Sequence, residues 1–325
     1  MTTLIEAQAL RKCFGQIVAV DDISLTVAKG EVLGFLGPNG AGKSTTMKMI
    51  TGFLEPDSGT ARIAGIDIGS DPIGAKRHLG YLPEGAPAYA DMTPRSFLAF
   101  IAEIRGYNGG EVKTRADSAG EKAGLLGVWD QRIETLSKGY KRRVGIAQSI
   151  LHDPAVLIMD EPTDGLDPNQ QHQVRALIKE MSKDKAIIIS THILQEVDAV
   201  CTRAVVIDKG RIVADGTAQD LESRLDYHNA VALRVAAGAG DKAKAVIAGV
   251  AGVSRVEFTS KAAGEKASGT VSLRVYPKPG QAVAATVAAA LRADGIDVEE
   301  MFVEKGRLDD VFRKITSHEG ARRNA

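Results

Sequence analysis

The chain has 325 residues, of which 44% are hydrophobic, so it is long enough to form one large or two ordinary globular domains. Basic and acidic residues are equal in number, 41 of each, which excludes a strong overall charge drawing the protein to nucleic acid or to an anionic membrane. The two cysteines, Cys13 and Cys201, have no metal or redox spacing, and the sequence predicts neither a signal peptide nor a membrane-spanning segment. We therefore expect a protein of the reducing cytosol.

Residues 1–225 alternate between short strands and helical patterns, which is typical of α/β architecture. Strand candidates that are apolar throughout lie at residues 31–36, 155–160, 186–190 and 204–208. Such strands are buried on both faces of a mainly parallel sheet. From Thr93 and Pro94, which form a helix cap and first-turn pair, the pattern is mostly helical up to residue 152. We expect a helical subdomain inserted at about residues 85–152.

Residues 226–325 follow a different order of elements. Strand, helix, strand, strand, helix and strand patterns lie at 231–236, 241–250, 253–258, 270–276, 281–293 and 296–304. This order is the split βαβ, or ferredoxin-like, plan, with a turn at AAGEKASG between the two middle strands. A last helix over 307–316 places Leu308, Val311, Phe312 and Ile315 on one face. The sequence therefore predicts a second, α+β domain.

The segment GPNGAGKST matches the G-x-x-x-x-G-K-[ST] phosphate loop, between an apolar strand and a helix predicted over 43–54. Glycines in such a loop let backbone N–H groups surround phosphate oxygens, while Lys43 reaches the β- and γ-phosphates and the Ser44 hydroxyl binds Mg²⁺. The predicted nucleotide-binding residues are Gly37, Pro38, Asn39, Gly40, Ala41, Gly42, Lys43, Ser44 and Thr45.

The segment LIMDEPTDGLDP ends an apolar strand in two consecutive carboxylates. Such strand ends face the ligand crevice of open α/β sheets. We predict that Asp160 holds Mg²⁺ and that Glu161 orients and polarises the attacking water. Asp167, followed by Pro168 and Gln170, also fits a helix N-cap with its first-turn proline and reciprocal capping partner.

The segment LSKGY, residues 136–140, opens a helical pattern that carries four cations at its start. Basic side chains are unfavourable at a helix N-terminus unless an anion neutralises them. The cations are Lys138, Lys141, Arg142 and Arg143. A solvated basic helix is the structural alternative; the functional hypothesis is an anion-binding turn.

The ordered set GPNGAGKST, LSKGY, LIMDE, GLDP and STH resembles the ATP-binding cassette of ABC transporters, over about residues 1–225. This family has the P-loop NTPase fold with an inserted helical subdomain. The resemblance implies that LSKGY stands at the family's signature motif, where Ser137 and Gly139 would donate to the γ-phosphate of ATP held by a second subunit.

Further roles are implied by the same resemblance. Phe14 stands at the position of the aromatic that stacks on adenine, although an aromatic residue is ordinarily part of a core. His192 matches the switch histidine that contacts the γ-phosphate, a position where a lone histidine is ordinarily structural. Asp167 matches the dimer-facing loop that couples the two sites.

The chain also departs from the family pattern. Glu84 stands where most members have a glutamine that contacts Mg²⁺ and water and transmits the nucleotide state to the membrane subunit. A carboxylate can still bind a hard cation and act at the catalytic site, but it adds negative charge beside a triphosphate. Lys138 and Tyr140 replace a glycine and a glutamine of the signature. Within the family, the chain looks most like ATPase subunits of type-2 exporters, especially the gliding-motility-associated group.

The resemblance implies an ATPase subunit that uses ATP and Mg²⁺, forms a dimer, binds no nucleic acid, and powers a separate permease from the cytoplasmic face of the membrane. Two alternatives remain at this point. One is a soluble ABC ATPase that acts on ribosomes or DNA, although one phosphate loop and no long coiled-coil insertion argue against it. The other is a non-enzymatic regulatory protein that works through its C-terminal domain.

Overall fold

The computed structural model describes residues 2–85, 88–191, 193–260, 269–278, 280–304, 306 and 308–316. The chain divides into two compact units, Met1–Ala218 with Ile315–Ala325, and Gln219–Lys314. Among the residues described, no helix is both long and apolar enough to cross a bilayer.

Among the described residues, the first unit contains ten strands and seven α-helices. The strands are β1 (Thr3–Phe14), β2 (Ile17–Ala28), β3 (Val32–Leu36), β4 (Ser58–Ile63), β5 (Ile66–Asp67), β6 (Leu79–Leu82), β7 (Val156–Asp160), β8 (Ala186–Thr191), β9 (Arg203–Asp208) and β10 (Arg211–Gly216). The helices are α1 (Lys43–Ile50), α2 (Pro72–Arg77), α3 (Pro94–Ile104), α4 (Gly110–Lys122), α5 (Lys138–Ile150), α6 (Pro168–Met181) and α7 (Leu194–Val200), and α8 (Ala218–Glu222) follows β10.

A six-stranded sheet in the order β10-β9-β3-β8-β7-β6 forms the centre of this unit, and all its pairs are parallel except β10 with β9. Successive residues of β7 enter opposite hydrophobic clusters: Val156 and Ile158 pack on the side of α1, and Leu157 and Met159 pack on the side of the helical insertion. Both faces of the strand are therefore buried, as the apolar strand sequences predicted. A second, antiparallel sheet has the order β2-β1-β4-β5.

The predicted helical insertion is confirmed as α3, α4 and α5. The Thr93 side chain accepts from the backbone N–H of Ser96, whose hydroxyl bonds back to Thr93, so the predicted cap of α3 is a complete capping box. The helix predicted over 43–54 is shorter in the structure, because α1 ends at Ile50. Gly52 takes a left-handed backbone and the N–H groups of the next residues turn back to the Lys48 carbonyl, which closes the helix.

The second unit contains β11 (Ala230–Ala236), α9 (Gly240–Ala248), β12 (Val253–Ser260), β13 (Thr270–Pro277), α10 (Ala284–Ala293), β14 (Val298–Glu304) and α11 (Leu308–Thr316). Its sheet is antiparallel throughout, in the order β12-β13-β11-β14. This arrangement confirms the split βαβ plan. Leu308 and Val311 of α11 are buried, as its apolar face predicted. The turn expected at AAGEKASG falls almost entirely outside the described residues.

Candidate functional site

Four parallel strands end level with one another and bring the predicted site residues to one edge of the central sheet. Leu36 of β3 lies beside Thr191 of β8, and Ser190 lies beside Asp160 of β7. On the far side of β7, Leu82 of β6 pairs with Met159. The phosphate loop, the acidic strand end and Glu84 all follow these positions in the chain, so they meet at the carboxyl edge, where open α/β sheets bind ligands.

The phosphate loop leaves no room for side chains at two of its glycines. A Cβ added to Gly42, whose φ is +104°, would lie 2.5 Å from the Ala19 carbonyl oxygen. A Cβ at Gly37 would lie 2.6 Å from the Ile207 carbonyl oxygen. The loop therefore approaches neighbouring backbone closely, and its own backbone can curl at the N-terminus of α1 as a phosphate cradle requires.

Lys43 lies within this cradle and is buried. Its Nζ donates to the carbonyl oxygens of Gly37 at 2.6 Å and Pro38 at 3.1 Å, so the loop itself holds the ammonium group. Burial lowers the pKa of Lys43 below its usual value. Three carboxylates oppose that change in pKa by electrostatic attraction, those of Glu161, Asp160 and Glu84. The structure thus brings the predicted phosphate-binding lysine and the predicted acidic residues together.

Asp160 has the features of a metal-binding carboxylate. Its side chain is buried, and Oδ1 accepts a hydrogen bond from the Ser190 hydroxyl. Oδ2 is also buried and has no hydrogen-bond partner. A buried carboxylate oxygen without a donor is unfavourable unless a cation binds it. The residues present therefore fit a divalent cation.

No group of three or more Asp, Glu, His or Cys side chains is clustered closely enough in the described residues to hold a metal ion. A cation bound to Asp160 would need hydroxyl, phosphate and water oxygens to complete its shell. Mg²⁺ has this preference, because it usually binds through one or two carboxylates together with substrate phosphates. The half-buried Ser44, in the first turn of α1, is the predicted hydroxyl ligand.

Glu161 adopts a backbone conformation that is rare outside glycine, with φ of +50°. Its N–H group donates to Ser190 twice, to the hydroxyl oxygen at 2.9 Å and to the carbonyl oxygen at 3.2 Å. Ser190 therefore bonds both consecutive acidic residues: it contacts the side chain of Asp160 and the backbone N–H group of Glu161. This arrangement fixes where the Glu161 side chain leaves the strand.

The signature turn, residues 136–140, is a capped helix start. Ser137 is the N-cap of α5 and its hydroxyl accepts from the Tyr140 N–H at 3.4 Å. Gly139 packs closely against the loop before α6, since a Cβ there would lie 2.5 Å from Oε1 of Gln170 and 3.2 Å from Leu166. The donor residues named in the sequence are thus held in a fixed turn.

Three of the four cations near this turn are bound by the chain's own oxygen atoms. Arg142 donates to the carbonyls of Pro83, Asp160 and Glu161, and Lys141 donates to the Glu134 carbonyl. Arg143 bonds the Ala123 and Gly124 carbonyls and the Gln173 side chain. These oxygen atoms are neutral, so the contacts satisfy the donors of the three cations without cancelling their charge, and the anion-binding role of the turn stays a prediction.

The remaining predicted residues have different outcomes. Phe14 is 51% exposed at the end of β1, so the alternative that it belongs to the core is wrong. Asp167 is the N-cap of α6, with Pro168 in the first turn and a bond from the Gln170 N–H at 2.8 Å. His192 lies outside the described residues. The nucleotide, metal and partner-contact roles of these positions stay predictions.

Sequence reasoning missed two residues that organise the site, Ser190 and Arg142. Neither belongs to a motif that assigns it a role here. Arg142 donates to the backbone carbonyls of Asp160 and Glu161, whereas Ser190 bonds the Asp160 side chain and the Glu161 N–H group. A usable signal did exist for Ser190, because a hydroxyl residue ends an otherwise apolar strand predicted to neighbour the acidic strand. Arg142 had none beyond its charge.

The comparisons with known proteins agree with this geometry. The family model for the ABC transporter matches residues 20–164. The linearmycin resistance ATP-binding protein LnrL of Bacillus subtilis (strain 168) is 38% identical over 233 residues, which cover 71% of this chain and 75% of that protein. The daunorubicin/doxorubicin resistance ATP-binding protein DrrA of Streptomyces peucetius is 33% identical over 319 residues, covering 98% of this chain and 93% of the relative.

Among solved structures, an ATP-binding subunit of an ABC transporter is similar with a TM-score of 0.62 and 32% identity, over 67% of this chain and 92% of the other. The match to DrrA extends over nearly the whole of the present chain, including its second unit. The match to the solved ATP-binding subunit extends over about two thirds of the chain. The chain therefore belongs to the ABC transporter family, as an ATP-binding subunit with ATPase activity.

Proposed function

We propose that this subunit hydrolyses Mg²⁺-bound ATP at a site completed by a second ATP-binding subunit, and that the cycle drives a separate membrane permease. The observation that carries the proposal is the meeting of Lys43 with three carboxylates at one sheet edge, beside a buried carboxylate oxygen of Asp160 that has no partner. Phosphoryl transfer needs such an arrangement of cation, metal ligand and water-orienting carboxylate.

The roles follow from the contacts. Lys43 exchanges the carbonyls of its own loop for oxygens of the β- and γ-phosphates, while the N–H groups at the start of α1 surround the phosphates. Asp160, Ser44 and Glu84 are the residues that would hold Mg²⁺, which would supply positive charge to neutralise the phosphates. Glu161 accepts a hydrogen bond from the attacking water and so orients it for in-line attack. His192 contacts the γ-phosphate.

The second subunit supplies the signature turn. The N–H groups at the start of α5 and the Ser137 hydroxyl are donors suited to a phosphate, and the N-cap bond between Ser137 and Tyr140 orders this turn. ATP then acts as the bridge that closes two subunits, and hydrolysis with product release reopens them. Asp167, at the start of α6, lies in the loop that couples the two sites. We propose a homodimer.

The permease sets substrate and direction. Two similar proteins are named for resistance to linearmycin and to daunorubicin or doxorubicin, and a third is named a Nod factor export ATP-binding protein, which supports an exporter. We place the subunit at the cytoplasmic face of the membrane. We also propose residues 1–225 as the ATP-binding domain and 226–325 as a C-terminal accessory domain whose role is separate from hydrolysis.

The central test is Glu161→Gln in the full chain. It should lower ATP turnover by roughly 10²- to 10⁴-fold, the usual contribution of a positioned acid or base. Because ATP then persists, the variant should form a stable dimer with Mg²⁺ and ATP, measured by light scattering after gel filtration. Hydrolysis at the wild-type rate would show that Glu161 has another role.

A matched pair of variants tests the composite site. Ser137→Arg should remove hydrolysis and the ATP-dependent dimer while the monomer still binds ATP, because the turn acts on the partner's nucleotide. Mixing it with Lys43→Ala chains should restore part of the activity through one intact composite site. Loss of ATP binding by the Ser137→Arg monomer would instead place the turn and the phosphate loop in the same site.

A further inference from the structure

Glu196, in the first turn of α7, is a buried carboxylate outside every motif of the sequence. Its exposed fraction is 1%. The Thr191 hydroxyl donates to Oε2 at 2.6 Å, and the Thr163 hydroxyl donates to Oε1. Nη2 of Arg175 lies 3.6 Å from Oε1 in an ion pair. Three separate segments of the first unit therefore converge on one side chain.

Each of these segments continues directly into a proposed site residue. Thr163 follows Glu161 in the turn after β7, and Thr191 ends β8 just before His192 in the sequence. Arg175 lies on α6, the helix whose N-cap is Asp167. The carboxylate of Glu196 thus joins the backbone near the proposed water-orienting residue, the switch histidine and the dimer-facing loop.

Thr191 has a second bond that strengthens this connection. Its hydroxyl oxygen accepts from the N–H of Ile193 at 2.9 Å while its hydrogen is directed to Glu196. One hydroxyl therefore bonds the chain on the C-terminal side of position 192 and also the Glu196 anchor. The end of β8 and the start of α7 are fixed relative to each other through these two bonds.

A buried carboxylate is energetically unfavourable if its only role is to fill space in the core. Its desolvation is unfavourable unless hydrogen bonds and a cation satisfy its oxygens, and an apolar residue of similar volume is often at least as stabilising. A carboxylate does offer one property that an apolar residue lacks, because its bonds to several donors are directional. We propose that Glu196 is a positioning residue, which holds the turn after β7 and the end of β8 at a fixed separation for hydrolysis.

This inference rests on the proposed roles of Glu161 and His192. Two side chains that must act on the same phosphate and water lose effectiveness when one shifts by about 1 Å, which can lower a rate by roughly 100-fold. Lys43 and the phosphate loop do not depend on Glu196 for their contacts, since the Lys43 bonds lie within the loop. Removing Glu196 should therefore affect turnover more than ATP binding.

The test measures kcat, KM and ATP affinity of full-length variants at temperatures where circular dichroism shows them folded. Glu196→Ala should lower kcat by about 10- to 100-fold while KM and ATP affinity change by less than about threefold. Glu196→Gln should recover most of the lost rate, since an amide can accept from one threonine hydroxyl and donate to the other. A purely stabilising role predicts a lower melting temperature with normal kcat in the folded protein.

Thr163→Val and Thr191→Val are the second set of variants, and they also serve if Glu196→Ala does not fold. Each removes one hydroxyl with little change of shape, so each should lower kcat with KM unchanged. Combining Thr163→Val with Glu196→Ala should cost less than the product of the two separate losses, because both changes break the same connection. Normal kcat in both valine variants, or fully multiplicative losses, would overturn the proposal.

Glu161→Gln, measured alongside, separates this inference from the proposed function. Loss of turnover in Glu161→Gln with normal kcat in the Glu196 and threonine variants would reject the positioning role and leave the site assignment intact. Wild-type turnover in Glu161→Gln would reject the site assignment itself.

Discussion

The two units of the chain differ in how their buried carboxylate oxygens are paired. At the sheet edge of the first unit, a buried oxygen of Asp160 has no hydrogen-bond partner and Glu161 has a strained backbone. The second unit has a cleft of about 820 Å³, and the polar side chains that line this cleft are paired with one another. The pairs are Arg274 with Glu304, Lys314 with Asp226, and Tyr227 with Asp310.

This difference separates a reactive site from a folded scaffold. An unmatched buried acceptor and a left-handed glutamate both raise the free energy of the first unit, and they occur where a cation, a phosphate and a water are to be bound. In the second unit, Oε2 of Glu304 is also buried without a hydrogen bond, but it lies 2.5 Å from Nε of Arg274 in an ion pair, so its charge is compensated without a ligand. A cavity of ample size is therefore weaker evidence for chemistry than one carboxylate oxygen left without a donor.

The largest effect is expected from Asp160→Asn. The amide is a weaker ligand for a hard cation and removes the negative charge, so ATP turnover should fall by roughly 10³-fold, in keeping with the several kcal/mol that a metal ion supplies. The rate should be measured against Mg²⁺ concentration, and the concentration needed for half-maximal activity should rise.

Asp226→Asn is the matched control in the second unit. Asp226 pairs with Lys314 at 3.1 Å, and both side chains are well exposed, so the pair contributes about 0–1 kcal/mol. Turnover and Mg²⁺ dependence should stay within about twofold of wild type. Equal losses in both variants would remove the distinction between the two units.

A smaller effect is expected from Phe14→Ala at the edge of the first unit. If the exposed ring stacks on adenine, its removal should raise KM for ATP by about 3- to 10-fold, which corresponds to a stacking energy of about 0.5–1.5 kcal/mol. The value of kcat should not change, because the ring is not part of the acidic edge. An unchanged KM would mean that Phe14 has no part in nucleotide binding.

The smallest effect on hydrolysis is expected from Arg274→Met in the second unit. Arg274 forms an ion pair with Glu304 at 2.5 Å and lies over the Tyr227 ring, and the bond to Glu304 raises the pKa of Arg274. Its removal leaves a half-buried carboxylate unpaired and should lower the free energy of unfolding by about 1–3 kcal/mol. Urea unfolding followed by far-ultraviolet circular dichroism measures this change in the free energy of unfolding.

ATP turnover of Arg274→Met should remain within about twofold of wild type at temperatures where it is folded. The double variant Arg274→Met/Glu304→Met removes both charges and should recover stability, since the unpaired carboxylate is gone. A large loss of turnover in the folded single variant would mean that the second unit takes part in the ATPase cycle.

Local signals in the sequence were enough to predict the elements that surround the site. Continuous apolar runs predicted the parallel strands, and Thr93 and Asp167 marked helix starts that the structure has as N-caps. The phosphate loop and the acidic strand end follow the predicted strands. These features depend on neighbours in the chain, so a single sequence contains the information for them.

Features that depend on distant parts of the chain were missed. The sheet of β1, β2, β4 and β5 was not predicted, because register shifts interrupt the alternation of β1 and two adjacent acids, Asp21 and Asp22, lie in the middle of β2. The bonds of Ser190, Arg142 and Glu196 to the site join residues that are far apart in the sequence. Only the register of the strands and the helix packing bring them together.

The backbone of Glu161 has a consequence for how this protein can change. A left-handed conformation at a residue other than glycine destabilises a fold by about 1–3 kcal/mol, and glycine would relieve it. At position 161, glycine would therefore favour thermal stability, whereas glutamate favours ATP turnover. Laboratory evolution that selected only for thermal stability of the protein would favour glycine there. It would yield a more stable protein without ATPase activity.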